Sequence, residues 1–289
     1  MEYFYLLFAI LSTTLLSVLN TIFSRQNSDA GNCAFLYNTI ATGFAFILWG
    51  IILLKDGGFD TGVIAYSAMF GIFFTMAMTG MFKAYELGPV SLTAFAKQLS
   101  LIGVAVWGFI FWGNPLTPNI TIGMLLIIAA LYLCFKPEKG ASEKGLSLKW
   151  FFFSSMLFVG NAGCSIVQKY QQMAFDGKHG SLLMFFGVGM SFVFSLVLFL
   201  KDKQCQIHKI KKISLLCPIV GGICSALLNL SIILMISSPL SESIIFPGIA
   251  VGGLGLTTLY SLVAYHEKLR TYQWYGLGIG AIALIFLNL

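Results

Sequence analysis

Lys97 interrupts an apolar run that starts at Pro89 and does not turn polar again until Asn114. At ~1.5 Å per helical residue it lies about 12 Å beyond Pro89, near the middle of a membrane-spanning segment. An ammonium group at that depth costs a few kcal/mol or more unless it faces a cavity or a partner. Thr93, Ser100 and Trp107 share its helical face, at i−4, i+3 and i+10. Such a group can serve as the counter-charge of an anionic or zwitterionic solute, or as a proton-exchanging group. The competing reading is a structural ion pair with Glu86 or Glu242.

Glu242 stands three residues past Pro239 and is the best-placed carboxylate for proton coupling or for gripping an amine. Lys83 and Glu86 have the i, i+3 spacing of a local ion pair. Polar stripes run along three helical segments: Thr13, Ser17, Asn20 and Ser24; Ser154, Asn161, Ser165 and Gln168; Ser225 and Asn229. Interhelical hydrogen bonding explains any one serine or threonine. Three stripes together point to a shared polar cavity, with Asn161 and Asn229 as preferred members because an amide both donates and accepts. Tyr37, Trp49, Tyr85, Trp107 and Trp112 supply the rings for an aromatic box, although aromatics near helix ends are usually interface anchors. The six cysteines form no CxxC motif and no Cys/His ligand spacing, and the three histidines have no triad or metal partners. No phosphate loop or nucleophile motif occurs, so neither an enzyme nor a cofactor is expected.

The elements that must position these groups follow from composition. The chain has 289 residues, 58% hydrophobic and 10% charged, against about 25% charged in a soluble domain. The bilayer is therefore its solvent. The net charge of +6 lies in loops, an orientation signal rather than evidence for nucleic acid. Apolar runs fall at 3–24, 32–54, 62–84, 89–112, 118–135, 150–169, 181–200, 213–236, 240–263 and 271–288, which gives ten expected helices. Their unbroken length argues against a β-barrel. The N-terminal run lacks a basic leader and reads as a retained helix.

The two halves echo one another. NTIFSR (20–25) matches CSIVQK (164–169) in phase, GPVSLT (88–93) resembles SPLSES (238–243), and NPLTPNITIG (114–123) resembles EKLRTYQWYG (267–276). The expected organisation is a five-helix repeat at 1–137, a linker at 138–149 and a second repeat at 150–289. An odd number of helices makes the second copy enter the membrane in the opposite sense, with a substrate site near the midplane. The expected fold class is thus an all-α integral membrane protein with ten transmembrane helices in two inverted repeats. The first, third, fourth, sixth, eighth and ninth helices should line the cavity, with the fifth and tenth outside.

KAYELGPVSLTAF (83–95), GNPLTPNITIGMLLIIAALYL (113–133) and HEKLRTYQWYGLGIGAIALIFL (266–287) resemble the drug/metabolite transporter superfamily, EamA type. Glu267 keeps the acidic residue of the family pattern, whereas Asn114 replaces it. The resemblance implies solute transport without ATP hydrolysis, and termini on the cytoplasmic side. Loop charge points the other way: thirteen Lys and Arg lie in odd-numbered loops and three in even ones, which places the termini outside. In the small multidrug branch a glutamate precedes the first-helix lysine by eight residues. The corresponding positions are Ser17 and Asn161, counted back from Arg25 and Lys169, which argues against cationic-drug/proton exchange.

The leading expectation is a secondary transporter of a small carboxylate-bearing metabolite in a bacterial inner membrane, proton-coupled or exchanging. Its binding residues would be Lys97, Thr93, Ser17, Asn20, Asn161, Asn229, Trp107 and Glu242, with Glu242, Glu86 and Lys83 in coupling or ion pairing. Its partners would be that solute and the lipid bilayer. The GLGIG face (276–280) fits either internal packing or a homodimer. An exporter of cationic or hydrophobic amines and a non-transporting membrane receptor are the alternatives.

Overall fold

The computed structural model describes residues 2–113, 117–135, 147–202, 205–236, 242–266 and 269–286. Among them are eleven α-helices and no strand: α1 (Glu2–Gln26), α2 (Ala34–Asp56), α3 (Val63–Leu87), α4 (Val90–Gln98), α5 (Ser100–Phe111), α6 (Pro118–Phe135), α7 (Leu148–Ala174), α8 (Gly180–Lys201), α9 (Leu216–Ile236), α10 (Glu242–Ala264) and α11 (Thr271–Phe286). In hydrocarbon every backbone N–H and C=O needs an internal partner, and an apolar helix supplies them all. Six helices, α1, α2, α3, α7, α8 and α9, are long and apolar enough to cross a membrane. The chain is a multi-pass, all-α membrane protein.

The largest departures from the sequence reading lie in the fourth and sixth runs. The run 89–112, expected as one helix, is interrupted at Leu99 into α4 and α5. Ser100 Oγ donates to the Lys97 carbonyl at 2.8 Å. A hydroxyl that takes a carbonyl one turn back competes with the helical ladder and bends it. Leu99 keeps near-helical dihedrals (φ −59°, ψ −20°), so the interruption is one residue long. The sixth run extends to Ala174 and stops where Asp176 (φ 50°) and Gly177 (φ 75°) reverse the chain.

Loop contacts define two ends of the bundle. At the first, Phe23 of α1 stacks edge-on with Tyr37 of α2 and Phe82 of α3. There too the Asn27 side chain donates to Ser214 Oγ, and Gln206 N donates to the Ala30 carbonyl. At the other end, Phe175 after α7 meets Tyr66 at the start of α3, and His179 lies against Gly58 after α2. Helices α1, α3, α8 and α10 therefore finish at the first end, where α2, α4, α7 and α9 begin. In the packing, α3 lies on α7 and α8, α1 on α9 and α10, α2 on α8 and α9, α4 on α10 and α7, α5 on α7, and α6 on α11.

The α3–α7 seam is closely packed. A Cβ on Gly80 would stand 2.6 Å from the Leu157 backbone nitrogen, and one on Gly160 2.5 Å from that of Ala77. Backbone therefore rests on backbone, the packing that drives helix association where lipid is as apolar as leucine.

Candidate polar site at the junction of α1, α4 and α10

Lys97 points from α4 to α1. Its Nζ donates to Thr13 Oγ1 at 2.9 Å, and the residue is half-buried inside the bundle. Its neighbour Gln98 also turns inward: a Cβ on Gly253 of α10 would lie 3.6 Å from Gln98 Nε2 and 2.6 Å from Thr13 Cγ2. Three helices thus converge on one cation, one hydroxyl and one amide. The Leu99 interruption lies directly beside them.

The carboxylates suggested as partners of Lys97 stand elsewhere or outside the described side chains. Glu86 is bound to Lys83, Nζ to Oε2 at 2.6 Å, one turn apart on α3. Glu242 is the first residue of α10, and its side chain lies outside the described ones. Among the described residues, Lys97 has a hydroxyl and no carboxylate beside it.

Below Thr13 the α1 stripe continues, but its groups bond mostly to their own helix. Ser17 Oγ donates to the Thr13 carbonyl at 3.1 Å and Asn20 Nδ2 to the Leu16 carbonyl at 2.9 Å. Asn20 Oδ1 is buried with no hydrogen-bond partner among the described residues, as are Asn38 Oδ1, Ser154 Oγ and the Tyr37 hydroxyl. Buried polar atoms are rarely left so. These atoms lie on α1, α2 and α7.

The other expected residues fall in different places. Thr93 is fully buried at the first end, where its hydroxyl accepts from Trp150 Nε1 at 2.9 Å and donates to the Ala84 carbonyl at 3.3 Å. Both its hydrogen-bonding roles are occupied in joining α4 to α7 and α3. Trp107 lies toward the opposite end and donates to the Tyr170 hydroxyl at 3.2 Å. Asn229 Nδ2 bonds to the Ser225 carbonyl of its own helix at 2.9 Å. Asn161 is half-buried on α7 with no hydrogen-bond partner among the described residues. The five aromatics considered as a box do not converge. Tyr37 and Tyr85 pack in one core cluster, Trp49 in another, and Trp107 and Trp112 near Tyr170. Thr13, Gln98 and Gly253 complete the site. Thr13 belongs to a visible stripe, whereas Gln98 and Gly253 had no signal beyond adjacency to Lys97 and a glycine pair.

No three His, Cys, Asp or Glu among the described residues could hold a metal ion. A cavity of about 350 Å³ opens between α10 and α11 and is lined by Leu254, Gly255, Thr258, Trp274 and Gly278 among others. It is apolar and suits hydrocarbon rather than a polar solute.

No family profile matches the sequence. The chain is 25% identical to an uncharacterized protein of Haemophilus influenzae, over 97% of this chain and 96% of that one. A solved crystal structure superposes with a TM-score of 0.58 at 13% identity, over 96% of this chain and 95% of the other. That likeness concerns the fold alone, and it extends over nearly the whole of both chains.

Proposed function

We propose that the chain is a secondary transporter of the drug/metabolite type, with ten membrane spans in two inverted five-helix repeats. It moves a small carboxylate-bearing metabolite through the bundle by alternating access, by exchange or proton coupling. It resides in a bacterial inner membrane.

The repeat reading is supported by the packing pattern. Exchange α1 with α7, α2 with α8, α3 with α9, α4–α5 with α10, and α6 with α11. The contact of α3 with α7 then becomes that of α9 with α1, α3 with α8 becomes α9 with α2, and α1 with α10 becomes α7 with α4 and α5. The pairs α2–α8, α4–α10 and α6–α11 map onto themselves. The opposed directions of α1 and α7 fit an inverted copy. Transporters of this architecture bind their solute near the midplane, where helices are interrupted.

The observation that carries the substrate class is the Lys97 ammonium, held inside the bundle by a neutral hydroxyl at 2.9 Å. Among the described residues no carboxylate stands beside this half-buried cation, and such a cation favours an anionic ligand. A solute carboxylate would meet Lys97 and the Gln98 amide, with Thr13 released or shared.

The test is a thermal-shift comparison of purified chain with succinate, L-alanine, glucose and tetramethylammonium, run beside Lys97→Met. A ligand that binds the folded state raises the apparent Tm by mass action. Carboxylates should stabilise the wild type and not the variant, and counterflow in proteoliposomes should follow with the same solute. Stabilisation by tetramethylammonium alone, equal in both proteins, would instead favour an amine exporter. Binding without counterflow would point to a receptor.

A further inference from the structure

The register that aligns NPLTPNITIG with EKLRTYQWYG, continued back along the chain, sets Trp112 against Tyr265 and Trp107 against Tyr260. The match of NTIFSR with CSIVQK sets Arg25 against Lys169. These residues meet in the structure. The Arg25 guanidinium, at the end of α1, stacks 4.2 Å from the Tyr265 ring just after α10. The Lys169 ammonium, near the end of α7, lies 6.0 Å from the Trp112 ring just after α5. Each ring is braced by a second aromatic. Tyr265 packs edge-on against Tyr260. Trp112 packs edge-on against Tyr170, which accepts from Trp107 Nε1.

The two contacts occupy opposite ends of the bundle and cross equivalent seams. One ties α1 to α10, the other α7 to α5. In each, the first helix of one five-helix half is held to the fourth span of the other half. Those seams flank the junction where Lys97 sits, because α1 and α10 meet α4 there. The contacts are also unequal. At 4.2 Å the Arg25–Tyr265 pair is engaged, while 6.0 Å is the outer limit of cation–aromatic attraction. At that loose end the Trp112 Nε1 is buried without a hydrogen-bond partner among the described residues. Two equivalent devices, one closed and one slack, are what a two-state rocking bundle holds in either of its end states.

We propose that Arg25–Tyr265 and Lys169–Trp112 are reciprocal gates, one at each mouth of the Lys97 junction, and that engaging one disengages the other. The proposal rests on the repeat and transport reading above. It adds which side chains close each mouth, and that this structure is closed at the Arg25 end.

The test is hydrogen–deuterium exchange on the full chain in lipid nanodiscs, comparing wild type, Arg25→Gln, Arg25→Lys and Lys169→Gln. In Arg25→Gln, exchange should rise about two- to fivefold over residues 19–26 and 259–266, the scale of one lost cation–aromatic contact. It should fall over 107–113 and 165–172 at the far end. Arg25→Lys should restore the wild-type pattern, since it keeps the cation. In Lys169→Gln the Arg25 end should become more protected. Faster exchange at the mutated end alone, with the far end unmoved, overturns the gates and leaves a local latch. The repeat reading is tested separately by labelling Arg25→Cys and Lys169→Cys in oriented proteoliposomes with a membrane-impermeant maleimide. Labelling from opposite faces keeps the inverted repeat. Labelling from one face removes it, and the gate proposal with it.

Discussion

The α3–α7 seam and the α1–α4–α10 junction are built from the same kinds of helix and behave as opposites. In the seam, Gly80 and Gly160 let backbones touch, and the nearest atoms across it are main chain and the Ala77 methyl. In the junction, a threonine and a glutamine stand against Gly253 and a lysine bonds to that threonine, beside an interrupted helix. One contact has a single good arrangement, because main-chain atoms cannot step aside. The other is made of side-chain ends that can change partners. The proposed rocking transporter would use both, a seam that stays closed and a polar junction that opens.

The widest separation between them should appear on adding bulk. Gly80→Val pushes methyl groups onto the Leu157 backbone and should cost more than about 3 kcal/mol. The apparent Tm of the purified protein reads this, and a fall of only a degree or two would show the seam to be loose. Gly253→Val meets the Thr13 methyl, which can rotate away, so about 1–3 kcal/mol is expected. Rotation breaks the Lys97 hydrogen bond, so the carboxylate-induced Tm rise should shrink; an undiminished rise would detach Gly253 from the site. Thr13→Val removes the acceptor outright and leaves the ammonium to find another, at about 1–3 kcal/mol. Equal stability of the variant and the wild type would mean that Lys97 has another partner.

Lys97→Met should change stability by less than about 1 kcal/mol or raise it, since it removes a buried charge without leaving its partner ionised. The same variant should lose the response to succinate. A destabilisation as large as that of Gly80→Val would make Lys97 structural and transfer the site hypothesis to Glu242. The smallest effect concerns the loops that meet at the Arg25 end. Burial raises the pKa of the Cys33 and Cys205 thiols. A raised pKa keeps the neutral thiol to higher pH, so maleimide labelling of the native cysteines should begin at more alkaline pH than for free cysteine. Rapid labelling at neutral pH would contradict that burial.

Much of the architecture was legible in the sequence, because a membrane span is a local property of length and apolar composition. The runs at 32–54 and 181–200 lie within two residues of α2 and α8 at each end. The Lys83–Glu86 pair was also local, one turn on one helix. The interruption at Leu99 was not legible, since Ser100 is one of many helix serines and only its rotamer takes the Lys97 carbonyl. Thr93 was read from its shared face with Lys97, four residues away. Trp150 of α7 claims its hydroxyl instead, a contact across 57 positions that no periodicity encodes.

The sequence by itself determined that this chain lives in a bilayer as helices, and that one ammonium interrupts a long apolar run. Those follow from the cost of exposing apolar surface to water and charge to lipid. Only the tertiary structure decided what that ammonium touches: Thr13, 84 positions away, rather than Glu86, which Lys83 already holds. Lipid gives no hydrophobic preference for one helix pairing over another, so small-residue contacts and a few hydrogen bonds choose the neighbours. Those choices exist only once the helices have met.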